Sequence, residues 1–128
     1  MSQKNLLLSI IFLVVNIVSG QEIKLPKNVI KTFNDSQIIY FFTNNTFYEI
    51  DVLTYNISEP KVFQNNGYNI ANYKAIKIKD TFYFIQNTGG LVLKLKNNAL
   101  ERIDNSFNHK MQINSSIFKY NNHIYRYG

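Results

Sequence analysis

Beyond residue 20 the chain is governed by a period of two. Ile76 and Ile78 fall on one side of residues 75–79, and Lys77 and Lys79 on the other. Leu91, Leu93 and Leu95 share one face of the next such stretch, and Lys94 and Lys96 the opposite one. Side chains alternate across a β-strand, so this spacing predicts strands with an apolar face on a core and lysines in solvent. Between them, Phe82, Tyr83, Phe84 and Ile85 run almost without a polar break. Such a run predicts a strand covered on both faces. A short turn at Lys79-Asp80 precedes it. Asn87-Thr88-Gly89-Gly90, with the one Gly-Gly pair of the sequence, follows it and marks a hairpin.

The same grammar extends both ways along the chain. Strands are expected over 29–33, 37–42 and 46–52, with turns at Asn34-Asp35-Ser36 and Thr43-Asn44-Asn45. In the third of these, Phe47 and Glu49 point one way and Tyr48 and Ile50 the other. A looser strand over 61–63 follows Pro60, and residues 64–72 form an Asn-rich loop around Gly67. Strands over 74–79, 81–86, 91–96 and 100–103 come next, then a polar loop over 104–114. A last pair, 116–120 and 123–127, flanks Asn121-Asn122. No apolar spacing of three and four persists anywhere after residue 20, so the fold class is all-β.

The pattern also repeats. Tyr40, Tyr83 and Tyr125 hold one place in three hairpins, at spacings of 43 and 42 residues. Seven positions earlier stand Phe33, Ile76 and Phe118. Tyr48, Ile50 and Tyr55 match Leu93, Leu95 and Leu100 at a constant offset of 45. A period in this range, filled by about four short strands, predicts antiparallel four-stranded blades of a β-propeller. The repeats run over about 29–72, 73–114 and 115–128, the last incomplete: about two blades plus part of a third. Propellers close with typically 4–8 blades. The expectation is therefore an N-terminal part of a longer protein, or a chain that self-associates.

The stretch from Lys74 to Ile103 resembles a kelch repeat. Residues 74–79, Asp80, 81–86, Gly89-Gly90, 91–96 and 100–103 fill its places in order, and Leu100 stands where that family has an aromatic residue. Tyr55 holds that place in the first repeat, where Thr43-Asn44-Asn45 replaces the Gly doublet. The third repeat opens with Ser115-Ser116 and reaches only Gly128. The resemblance implies a propeller that holds a partner by its loops or top face. Some kelch-like propellers are copper oxidases, but that chemistry needs a cysteine-derived crosslink, and this sequence has no cysteine.

Residues 1–20 read as a secretory signal peptide: Lys4, an apolar run of about 13 residues from Leu6 to Val18, then Val18-Ser19-Gly20 before a cut ahead of Gln21. A bilayer span needs about 20 apolar residues, which this run does not reach. The expected product is exported, to the periplasm, cell surface or medium, with residues 21–28 as a lead-in and 29–128 as the repeat domain. A leader followed by Gln, with a bias to Asn, Lys and Ile, resembles exported proteins of Bacteroidetes. Without disulfides, stability must come from burial, and ten Phe and nine Tyr supply it. The formal charge of +6 comes largely from lysines on strand faces, which guard edges and keep the surface solvated. There is no arginine cluster, and no nucleic-acid partner is expected.

The familiar chemical motifs are missing from this sequence: no cysteine ligands, phosphate loop, nucleophile elbow or zinc-protease histidine spacing. His109 falls in a polar loop and His123 at a strand start, both read as surface residues. Glu49 and Asp51 share a strand face and read as a solvated pair rather than paired acids. No catalytic, cofactor-binding or metal residue is assigned. Four sequons, at Asn34, Asn44, Asn56 and Asn114, would mark glycosylated loops in a eukaryotic secreted protein. The reading is an exported, non-catalytic binding or interaction scaffold for a protein or glycan. Tyr68, Asn69, Tyr73 and Asn108 are its candidate contact residues, since loops carry function on rigid β scaffolds. Two other classes fit the same repeats. One is a larger secreted enzyme with its active residues in further blades. The other is the sensor or stalk ectodomain of a membrane-anchored protein.

Overall fold

The computed structural model describes residues 24–103 and 116–127. Ten strands follow one another: β1 (Lys31–Asp35), β2 (Ile38–Phe42), β3 (Thr46–Asp51), β4 (Lys61–Val62), β5 (Tyr73–Ile78), β6 (Thr81–Gln86), β7 (Val92–Lys96), β8 (Ala99–Arg102), β9 (Ser116–Tyr120) and β10 (His123–Tyr127). They form two four-stranded sheets, ordered β1-β2-β3-β4 and β5-β6-β7-β8, and a β9–β10 hairpin. Every pairing between these ten strands is antiparallel and joins sequence neighbours. Two four-stranded antiparallel meanders and a two-stranded hairpin are compatible with propeller-like blades. The leader, the loop over 104–114, Asn108, His109 and the Asn114 sequon lie outside the described residues.

The repeat is visible as register. Phe33 faces Tyr40 across β1 and β2, Ile76 faces Tyr83 across β5 and β6, and Phe118 faces Tyr125 across β9 and β10. The connecting turns each have two residues. Their first residues, Ser36, Lys79 and Asn121, have φ of 56°, 53° and 47°. Positive φ at this place matches the right-handed twist of the flanking strands. The offset of 45 holds for β3 and β7: Tyr48 pairs with Phe41 as Leu93 does with Phe84, and Ile50 with Ile39 as Leu95 does with Phe82.

Phe42 stands at the centre of the core, fully buried. Its ring stacks on Phe33 and Phe47 and meets Phe63, Phe82 and Phe84 edge-on at 5.3–6.1 Å. The layer joins the two sheets, with Leu93 and Leu100 from the second sheet and Ile70 from the connecting segment. Leu91 and Leu95 pack against the same cluster, so the shared face of the three leucines is as the alternation predicts.

Four expectations need correction. Asn34 and Asp35 belong to β1, paired with Ile39 and Ile38, and the turn is Ser36-Gln37. The tight turn lets the strands zip to their last residue, so polar turn-formers sit on the ladder.

The second correction concerns β5. Ala75 and Ile76 are both buried, which adjacent strand residues can be only when both faces are covered. Lys77 shares the Ala75 face and turns toward the first sheet, where its ammonium donates to Tyr40 Oη at 2.9 Å. It is not a solvent-face lysine.

Third, Tyr55 is not the counterpart of Leu100. Leu100 is buried in β8, whereas Tyr55 is half exposed in a turn with φ of 58°. The fourth strand of the first sheet is split. Ile57 bridges Ile50, then Pro60 intervenes before Lys61 pairs with Phe47. Proline cannot donate to a ladder and is tolerated at such an edge break.

Fourth, residues 64–72 are structured rather than a free loop. They include a short 3-10 turn, Ile70–Asn72. Gln64 pairs in parallel with Ala99 along the outer edge of β8, and Asn66 Nδ2 donates to the Leu100 carbonyl at 2.8 Å.

Candidate functional site

The first strand of each unit is an edge strand, and the three edges line one groove. Residues 33–35 of β1, 74–77 of β5 and 117–119 of β9 enclose a cavity of about 330 Å³. That volume lies at the lower end of the range for small-ligand sites. Its apolar surface comes from Phe33, Ile76, Ile117 and Phe118, and its charged groups are Asp35, Lys74, Lys77 and Lys119.

The lysines are positioned by the same alternation that builds the sheets. Lys77 reaches back over the first sheet, its Nζ 5.2 Å from the Tyr40 ring centre and 5.9 Å from that of Phe82. The Tyr40 hydroxyl holds its pKa above the ordinary lysine value, with nearby Asp35 and Asp80 adding to the effect against partial burial. Lys119 stands 42 residues on from Lys77 but bonds differently. Its Nζ donates to the Lys77 carbonyl at 2.9 Å and lies 3.8 Å from Asp35 Oδ1. Lys74 completes the lining, and Lys31 on β1 lies near it. Burial lowers the Lys31 pKa, and the positive charge of Lys74 lowers it further. No acidic side chain among the described residues pairs with either one. The groove therefore carries an excess of positive charge.

The hairpin is pinned at the far end of its β9–β10 face. Arg126 donates to the carbonyls of Gly89 and Asn87, the latter at 2.9 Å. The Asn87-Thr88-Gly89-Gly90 segment thus ties the second sheet to the third unit.

The residues singled out by sequence lie elsewhere. Tyr73 is buried in β5, and Tyr68 is partly buried against the core. Asn69 caps the 3-10 turn by accepting from the Ala71 amide at 3.0 Å. Glu49 pairs with Lys61 at 2.9 Å, and Asp51 Oδ1 accepts from the Leu53 amide, so both acids serve local structure. His123 is exposed, with Nδ1 2.7 Å from the Asn121 carbonyl oxygen. Asn34, Asn44 and Asn56 are all exposed, and Asn34 borders the groove. Among the described residues no three His, Asp or Glu side chains converge. The signal for the groove was present as Lys77 and Lys119, each one place after a repeat position. Lysine alternation by itself reads as a solvated face, which masks the groove in the sequence.

No protein-family model, curated protein or solved structure matches this chain.

Proposed function

We propose that this chain is an exported, non-catalytic binding scaffold built from kelch-like repeats, and that it holds its ligand in the groove along β1, β5 and β9. The observation that carries this reading is the groove itself: a cavity of about 330 Å³ framed by three strand edges, with apolar surface beside lysines and Asp35. Edge strands offer unpaired backbone donors and acceptors, and the side chains add charge and contact area. Glu49, Asp51 and His123 are engaged outside the groove, and Asp35 within it lies 3.8 Å from the Lys119 ammonium. Export rests on the leader pattern, and the kelch assignment on the Gly doublet and the strand order of residues 74–103.

Amide NMR titration of the exported full chain tests the proposal, using panels of oligosaccharides and short peptides. Saturable shifts confined to β1, β5 and β9, with the ligand recovered unchanged, are the expected result. Turnover of a bound ligand, or shifts confined to the outer strands, would overturn it.

A further inference from the structure

We propose that the groove is an anion site whose ligand is a sugar acid, a pyranose carrying a carboxylate; this rests on the groove being the binding site. Three ammonium groups line it, from Lys74, Lys77 and Lys119, against the single carboxylate of Asp35, and Lys31 lies near Lys74 without lining the groove. Two of the three lining lysines are already committed. Lys77 is held by Tyr40, and Lys119 by the Lys77 carbonyl and Asp35. Lys31 and Lys74 have no acidic partner among the described residues and lie close enough to repel one another. Placing the exposed Lys74 charge near partly buried Lys31 is unfavourable in the empty protein, and a bound anion reverses that sign.

Size and surface narrow the class. About 330 Å³ suits a ligand of one or two rings. The apolar sides of Phe33 and Phe118 suit the flat face of a pyranose, and Asp35 and the lysines suit its hydroxyls and carboxylate. An extended peptide is a poorer fit. Adding a strand needs a clear edge, and β1 and β5 carry Lys31 and Lys74 there, a known means of blocking strand addition.

The test is isothermal titration and amide NMR on the full chain with three probes: glucuronate, glucose and inorganic sulfate. A fourth probe, a short glutamate peptide, represents the competing macromolecular class. Glucuronate should shift amides of residues 74–77 and 117–119 saturably, glucose at least tenfold more weakly. The double variant Lys31→Gln with Lys74→Gln should lose at least tenfold in glucuronate affinity. It removes two mutually repelling charges, so its thermal midpoint should not fall, which separates lost binding from lost fold. Equal binding of glucose and glucuronate, or unchanged affinity in the double variant, overturns the proposal. So does sulfate or the glutamate peptide binding as tightly as glucuronate. If glucuronate fails while a neutral sugar or a peptide still shifts the groove amides, the anion inference falls and the binding scaffold stands. If no probe moves those amides, both fall.

Discussion

Phe42 shows how much of this protein depends on single aromatic side chains. It touches rings from both sheets, and no solvent reaches it. Phe42→Ala should therefore cost about 3–5 kcal/mol, the range for large cavities in aromatic cores. Phe118→Ala, half exposed on the hairpin, should cost far less, and urea denaturation of the pair measures the contrast. The Lys77–Tyr40 hydrogen bond has a pH signature. A folded-state lysine pKa above the usual 10.5 means that the charged form is favoured by folding. That contribution is complete below 10.5 and is lost as pH rises through the raised folded value. Tyr40→Phe removes the acceptor. It should lower stability at neutral pH, and its deficit relative to the parent should shrink on the alkaline side. Urea midpoints taken on both sides of the lysine range check the sign.

Hairpins are the working elements, and their turns explain why the repeats keep register. Asn97-Asn98 and Asn121-Asn122 have positive φ at both central positions, which asparagine tolerates better than most residues. The Gly89-Gly90 pair works differently. Gly89 has φ of 110°, and a Cβ there would lie 2.8 Å from Gln86 Oε1. The same segment presents the carbonyls that Arg126 holds. Gly89→Ala should cost about 1–3 kcal/mol through backbone strain. It should also speed amide exchange across β9 and β10 more than across β2 and β3, because the clamp on the hairpin shifts with the loop. Uniform acceleration over all strands would argue that the clamp contributes nothing.

At the scale of the whole molecule, each unit turns the same face to the next. Phe33 and Tyr40 stack at 5.1 Å and are met edge-on by Phe82 of the second sheet. Phe118 and Tyr125 stack in the same way at 5.6 Å, but there the face is open and also carries Tyr120 and Tyr127. The stacking is what brings three edge strands together, so the groove is a property of the assembly and not of any one sheet. This makes the expected sugar-acid binding sensitive to the hairpin's docking as well as to Lys31 and Lys74. It also makes binding sensitive to salt, since exposed charges act over about 10 Å at 0.1 M.

Local pattern sets the fold class, the turns at Lys79-Asp80 and Asn121-Asn122, and the repeat register down to the Phe33–Tyr40, Ile76–Tyr83 and Phe118–Tyr125 pairs. These are local facts: alternation fixes the face, and a two-residue turn fixes the register. Where a residue's role depended on what lay across from its face, sequence was not enough. It assigned Lys77 to solvent because alternation cannot say whether a second face is covered. It placed Tyr73 in a contact loop because a polar neighbourhood hid the start of β5. It matched Tyr55 to Leu100 because an offset cannot register the extra chain that Pro60 terminates. The groove, too, was decided only in three dimensions. Its walls are far apart in the chain, and its charge arises where side chains of separate repeats meet at neighbouring strand edges.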